Sequence, residues 1–267
     1  MNIYKNLNEL IEYIEENLEE NIDYNELAKI IGTNEYTMRR IFSLLTDVPI
    51  SEYIRNRRLS NAGFDLYNSN EKIVDIAVKY QYDNATSFSR AFEKFHGIKP
   101  SNIKKHPEKL KIYTKLKFNE NINENSSIEY SIISLDEIKL WGKGIKTTYS
   151  TIKQDAPNFW IKMNKKYEKK YGLGDYGLTF YEARFDSPNF EYWIAYEKEI
   201  KEFKKIVIPK SKWISFKLDS QEPIDIHKLT REFYEKFIPS SKFKIRPLPE
   251  LEYYTDNMTE LLFPIED

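Results

Sequence analysis

There is no cysteine in the chain. Its absence removes disulfides, thiolate zinc sites and cysteine nucleophiles together. Histidine is nearly as scarce: His96, His106 and His227 stand far apart, with no thiol to complete a metal set and no serine partner in a hydrolytic pattern. No metal, no cofactor and no catalytic residue is therefore expected. Apolar runs are only a few residues long, as at Leu261-Leu262-Phe263, whereas a bilayer-spanning helix needs about 20. The opening MNIYKNLNELIEYIEENLEE is acidic and amphipathic, without the basic start or apolar centre of a secretory signal. A cytoplasmic protein with no membrane contact is expected.

Positive charge is also lacking on average, the net charge being −1 over 267 residues. The average hides a separation. Residues 27–117 carry 17 Lys/Arg against 9 Asp/Glu, while residues 1–26 hold eight acids and one base, Lys5. Residues 118–267 are close to neutral, with 23 bases and 25 acids. Attraction to phosphate depends on charge near the docking face, so the basic stretch keeps a polyanion in play.

That basic stretch contains a repeat. Leu27-Ala28-Lys29-Ile30-Ile31-Gly32, followed by Thr33 to Phe42, returns about fifty residues later as Ile76-Ala77-Val78-Lys79-Tyr80-Gln81, followed by Tyr82 to Phe92. Each copy reads as a short apolar helix, a polar turn, and a second helix ending in Arg and Phe. Two such helix-turn-helix units suggest a monomer that places two helices in neighbouring turns of DNA. Leu7, Leu10, Ile11, Ile14 and Leu18 predict an amphipathic helix ahead of them. Residues 51–68 predict a long helix joining the copies, and Gly97 with Pro100 ends the second recognition helix. His96 and His106 fall at that end, beside phosphate or in water.

On the first recognition helix Tyr36, Arg39 and Arg40 share one face, with Met38, Ile41, Phe42 and Leu45 opposite. On the second, Thr86, Ser87 and Arg90 share a face, with Phe88, Phe92 and Phe95 behind them. Arginine forks to guanine O6 and N7 or clamps a phosphate, and hydroxyls serve bases or backbone. An ordinary helical bundle would also contain short amphipathic helices with surface arginines. Two copies at matched spacing make the bundle the lesser reading.

Residues 119–127 (NENINENSS) lack apolar spacing and read as linker. Beyond them the texture changes, and all four Trp (141, 160, 193, 213) lie there. Strands are predicted at Tyr130–Leu135, Lys139–Thr147, Leu178–Phe185, Phe190–Glu199, Trp213–Leu218, Glu250–Thr255 and Glu260–Ile265. Helices are predicted near Ala156–Tyr171 and Ile224–Phe237. This is an α+β domain with an internal duplication. The expected organisation is an all-α double helix-turn-helix domain at 1–117, a linker at 118–127, and the α+β domain at 128–267. Gly172-Leu173-Gly174-Asp175-Tyr176-Gly177 satisfies G-x-G-x-x-G literally, but it follows a predicted helix and precedes a strand. A dinucleotide site needs the opposite order, so this is a helix stop and turn.

The segment Leu27–Ser101 resembles the AraC/XylS family of bacterial transcription regulators. The resemblance rests on Tyr53-Ile54-Arg55-Asn56-Arg57-Arg58-Leu59, on Ser87-Phe88-Ser89-Arg90-Ala91-Phe92-Glu93-Lys94-Phe95, and on Gly97-Ile98-Lys99-Pro100-Ser101. It implies a bipartite DNA reader in which Tyr36, Arg39 and Arg40 match the contacting positions of the first helix. Ala85, Thr86, Ser87 and Arg90 match those of the second. Two departures stand out. Gln81 occupies a turn position where the family has Gly, and Ala85 replaces a polar contact position, offering only an apolar touch such as to a thymine methyl.

Residues 128–267 resemble the GyrI-like effector-binding domain that follows such units in Rob-type regulators. Carrying the resemblance are Ala156-Pro157-Asn158-Phe159-Trp160, Tyr171-Gly172-Leu173, Pro249-Glu250-Leu251-Glu252-Tyr253-Tyr254 and Leu262-Phe263-Pro264-Ile265. It implies duplicated strand-helix-strand-strand units around an aromatic groove with an acid at its floor, here Glu252. Strand alternation puts Tyr254 on the same face, and Trp160, Tyr181, Tyr192, Tyr196 and Trp213 are further wall candidates. A carboxylate in an aromatic box suits a small lipophilic cation, by ion pairing and cation–π attraction. For any single Trp or Tyr, core filling is the competing reading. The expected protein is a sequence-specific transcription regulator that is not an enzyme, with duplex DNA, a small-molecule effector and RNA polymerase as candidate partners. The alternatives are a C-terminal hydrolase of lipophilic electrophiles using Glu252 as base, or a ligand-free protein-interaction module.

Overall fold

A computed structural model describes residues 3–118, 129–181, 189–255 and 257–266. The expected linker at 119–127 and the end of the strand drawn to Phe185 lie outside the described residues. By contact, the chain divides into two compact units that interleave in sequence. One joins the described parts of Asn2–Ile31 and Ile50–Asn121; the other joins Gly32–Pro49 to the described part of Ile122–Asp267. The first recognition helix thus groups with the C-terminal domain, an arrangement that the domain order expected from sequence does not contain.

In the first unit, α1 (Ile3–Glu16) buries Ile3, Leu7, Leu10, Ile11 and Ile14. It packs on α2 (Tyr24–Ile31), which buries Leu27, Ala28 and Ile31. The long α4 (Ile50–Asn68) is tied to α1 by a partly buried fork, Arg57 Nη2 to Glu15 Oε2 at 2.6 Å and Nε to Oε1 at 2.9 Å. Then come α5 (Ile73–Lys79) and the second recognition helix α6 (Ala85–His96). Leu59, Ala62 and Leu66 of α4, Ile76, Ala77 and Tyr80 around α5, and Phe88 and Phe92 of α6 form one core with Ile103. Asn84 starts α6 because its Oδ1 accepts from the Thr86 and Ser87 amides, at 3.1 and 2.8 Å. Gln81 itself takes the left-handed conformation, φ 63°, that Gly32 (φ 78°) supplies in the first copy. The departure from glycine therefore leaves the turn's shape unchanged, and Gln81 Nε2 donates to the Glu19 carbonyl at 2.6 Å.

His96 is not in water or at a phosphate. It is buried against Phe92 (ring centroids 4.2 Å apart), its Nε2 bonding the Leu59 carbonyl and its Nδ1 accepting from the Lys111 amide. Burial lowers its pKa below the usual histidine value.

In the second unit, α3 (Glu35–Thr46) accompanies an eight-stranded antiparallel sheet of order β1-β6-β8-β7-β3-β4-β2-β5. The strands are β1 (Ser131–Leu135), β2 (Ile138–Thr148), β3 (Tyr176–Tyr181), β4 (Asn189–Tyr196), β5 (Lys204–Ile208), β6 (Ser211–Leu218), β7 (Glu250–Tyr254) and β8 (Thr259–Ile265). Helix α7 (Ile152–Tyr171) follows β2; α8 (Pro223–Glu232) follows β6 and continues through a π turn at Phe233–Phe237. The halves β2-α7-β3-β4 and β6-α8-β7-β8 repeat one plan and meet where β3 pairs with β7. Strand β5 is absent from the sequence reading because its surface-facing lysines mask the alternation of Ile206 and Ile208. Gly172 (φ 87°) stops α7, so the glycine-rich stretch is a helix end leading into β3.

Candidate functional site

The sheet has two faces, and strand alternation decides what each can do. Leu251, Leu178 and Trp213 point to one face, where they form a core with Leu140, Tyr176, Ala195, Ile206, Ile208 and Leu262. Glu250, Glu252 and Tyr254 alternate with Leu251 and Tyr253, so they lie on the other face with α7 and α8. There a cavity of about 520 Å³ is lined by Trp160, Tyr192, Glu252, Tyr254 and His227 among others.

Glu252 sits at its floor. Tyr192 and Tyr254 each donate a hydroxyl to Glu252 Oε2, at 2.6 and 2.7 Å, and Trp160 Nε1 donates to the Tyr192 oxygen at 2.9 Å. The Trp160 and Tyr254 rings meet edge to face, centroids 5.0 Å apart. Burial raises the Glu252 pKa above the usual carboxylate value; the two hydroxyls oppose that and the Glu250 charge adds to it. Gly177 faces Glu252 across the β3–β7 ladder, and a Cβ there would collide with the Glu252 carboxylate and the Tyr192 hydroxyl. Only glycine leaves the carboxylate room to lie across the strand.

Two of the wall residues expected from sequence are placed elsewhere. Trp213 is fully buried on the opposite face, because its phase along β6 is that of Leu251 rather than Glu252. Tyr196 is on the helix side but lies beyond the cavity, packed with Tyr167 and Phe203 under α7. Tyr181 lines a second space, of about 760 Å³, which shares Ala156, Pro157, Tyr192, Pro223, His227 and Glu252 with the first. The two are therefore contiguous, and Glu250 stands at the second as Glu252 does at the first.

Glu250 is the residue that sequence reasoning missed. Arg40 Nη2 bonds its Oε1 at 2.9 Å, Tyr181 donates to its Oε2 at 3.2 Å, and the Tyr234 hydroxyl donates to Oε1. Around the guanidinium stand Tyr181, Tyr234 and Tyr149, with Arg40 Cζ 3.4, 4.9 and 5.6 Å from their ring centroids. Arg40 also donates to the Tyr149 hydroxyl at 3.2 Å. Burial works against its charge, but Glu250 and the tyrosines override it, so it stays protonated. The period of two that brought Tyr254 to the face of Glu252 also brings Glu250 there, two residues earlier.

The expected outward face of the first recognition helix is thus corrected in this arrangement. Arg40 is 2% exposed, Arg39 is largely covered and paired with Glu35 at 2.7 Å, and Tyr36 is partly buried beside Glu250 and Arg40. The helix is held by its own N-cap as well: Asn34 accepts from the Thr37 amide and donates to the Ile245 carbonyl at 3.2 Å and to Glu266 at 3.0 Å. The second recognition helix differs. Thr86, Ser87 and Arg90 are exposed and Ala85 half-buried, while Phe88 and Phe92 anchor the opposite face.

Among the described residues, no helix is long and apolar enough to cross a membrane. A helix-turn-helix domain profile matches residues 27–106, and the profile of the integron-associated effector binding protein matches residues 131–265. The transcriptional activator AarP of Providencia stuartii is 35% identical over 95 residues, 36% of this chain and 70% of AarP. The regulatory protein SoxS of Salmonella typhimurium is 33% identical over 95 residues, 36% of this chain and 89% of SoxS. An integron cassette protein from Vibrio cholerae aligns at 17% identity with a TM-score of 0.44, covering 51% of this chain and 95% of that structure, a distant likeness only. The chain belongs to the AraC family of helix-turn-helix regulators: it is a DNA-binding transcriptional regulator that carries an effector-binding domain of the integron-associated type.

Proposed function

We propose that the effector is a small lipophilic cation held at Glu252, and that it controls a two-headed DNA reader. The observation that carries this is the Glu252 carboxylate itself. Its partners are two tyrosine hydroxyls rather than a cationic side chain, inside a cavity walled by Trp160, Tyr192 and Tyr254. A partly buried, desolvated carboxylate with no cationic side chain bonded to it among the described residues is costly, and a cation brought against it by aromatic faces relieves that cost. A cavity that reaches Glu252 also speaks against a module that binds only proteins, since such a module has no use for the space.

On the DNA side, Thr86, Ser87 and Arg90 with Ala85 form the reading face of α6; Tyr36, Arg39 and Arg40, covered in this arrangement, would form that of α3 once Arg40 leaves Glu250. The exposure of Arg90 and the two hydroxyls over a phenylalanine core supports the first assignment. Ligand and DNA would be coupled by unequal affinity for two arrangements of the chain, with RNA polymerase as a further partner.

Tetraphenylphosphonium is a suitable probe, being a monovalent cation with four apolar rings and no hydrogen-bond donor. Titration followed by tryptophan fluorescence should show saturable binding that weakens at least tenfold in Glu252→Gln. Equal affinity in the two proteins would remove Glu252 from the site. For the reader, Arg90→Ala should lose about 1–3 kcal/mol on duplexes selected from a random pool by the unaltered protein, if Arg90 forks to a base.

A further inference from the structure

We propose that Arg40 is a built-in cation of the effector domain, and that a soluble amidinium or guanidinium carried on an apolar body exchanges with it at Glu250 and frees helix α3. The inference rests on the reading of α3 as a DNA-contacting helix. It concerns a different carboxylate from the Glu252 site, and a different ligand chemistry.

The Glu250 box has the composition of a recognition site for a planar cation. One carboxylate takes the charge, Tyr181 lies 3.4 Å beneath the guanidinium, and Tyr149 and Tyr234 complete the wall. The hydroxyls of all three tyrosines engage the pair. Stacking plus hydrogen bonds from both terminal nitrogens, Nη2 to Glu250 and Tyr181 and Nη1 to Tyr149, suits a planar guanidinium and sets this box apart from one for a spherical ammonium.

Arg40 fits the box incompletely. Its Nε is buried and finds no hydrogen-bond acceptor among the described residues, a cost the docked arrangement carries. The box opens onto the 760 Å³ space that runs to Glu252, so an incoming ligand has a route to Glu250 that does not cross the core. Departure of Arg40 alone would strand a buried carboxylate, whereas exchange for another cation would not. The exchange is thus tied to ligand arrival. Asn34, Thr37 and Arg40 each tie α3 to the domain by a hydrogen bond, so losing one of them weakens the hold on the helix.

Arg40 cannot lie in this box and fork to a base edge at once. Box occupancy and DNA contact by α3 are therefore mutually exclusive states. The apparent affinity of a soluble cation is reduced by the fraction of molecules in which Arg40 already occupies the site.

Benzamidine tests this on the full chain. In Arg40→Met its affinity should rise at least tenfold over the unaltered protein, and in Glu250→Gln its binding should be lost while tetraphenylphosphonium binding persists. Saturating benzamidine should speed amide hydrogen exchange across residues 35–46 and leave residues 85–96 unchanged. Equal benzamidine affinity with and without Arg40, no binding to Arg40→Met, or unaltered exchange in α3 would each overturn the proposal. Should Arg40→Met not fold, Arg40→Lys retains the charge without the planar group stacked on Tyr181; a severalfold gain in benzamidine affinity is expected, and no gain overturns it. Loss of tetraphenylphosphonium binding in Glu252→Gln bears only on the neighbouring site.

Discussion

Replacing Glu252 by glutamine should stabilise the effector domain near neutral pH while weakening cation binding. The carboxylate accepts two tyrosine hydroxyls, at 2.6 and 2.7 Å, and charge-assisted bonds of this kind are worth about 1.5–3 kcal/mol each, against about 0.5–1.5 for neutral ones. Removing the charge therefore forfeits roughly 2–3 kcal/mol of hydrogen bonding. Desolvating a carboxylate costs several kcal/mol, and the raised pKa shows that desolvation outweighs the hydroxyls. The sign follows from linkage. A folded pKa above the unfolded value gives stability that is complete below the ordinary carboxylate pKa and is lost as pH rises through the folded value. Within that window the loss is about 1.4 kcal/mol per pH unit. Urea unfolding of both proteins, followed by tryptophan fluorescence from pH 4 to 8, reports on Glu252 and the Glu250 charge coupled to it, because titrations that do not sense Glu252 cancel in the difference. The two should be nearly equal at pH 4, with glutamine gaining ground above the ordinary carboxylate pKa and holding a plateau at higher pH. Parallel curves, or a glutamine variant that loses ground as pH rises, would refute the reasoning.

Further expectations concern single positions. Gly177→Ala should cost about 1–3 kcal/mol and displace the Glu252 side chain, measurable as a joint loss of melting temperature and tetraphenylphosphonium affinity. His96 is held neutral by burial, so the stability it confers is complete above its ordinary pKa of 6.5 and is lost as pH falls below it; His96→Gln should flatten that limb of the thermal unfolding profile. Asn84→Ala removes the cap of α6 and should cost about 1 kcal/mol in urea unfolding, with little effect on the effector domain.

Much of this molecule is legible from residue order because its determinants are local. The helix-turn-helix repeat shows in apolar spacing and in the turn positions Gly32 and Gln81, which act within a few residues. The strands show in their period of two, and that period places Tyr254 beside Glu252. It places Glu250 there equally well, a step that needed only the same rule applied in the other direction. Strand β5 escapes because lysines hide its short alternation.

What local pattern does not contain is the partner of each face. Helical periodicity groups Tyr36, Arg39 and Arg40 on one side of α3, and in an isolated helix a charged face belongs to solvent. Whether another part of the chain supplies a carboxylate and three tyrosines for it depends on residues over a hundred positions away, Tyr149, Tyr181, Tyr234 and Glu250. The placement of Trp213 is of the same kind, since a strand's phase is fixed only relative to the neighbours with which it pairs. The sequence by itself determined the helix-turn-helix repeat, most of the strands and the family resemblance; tertiary structure alone decided that Arg40 faces inward, because charge pairing across the fold has no signature in the spacing of either segment.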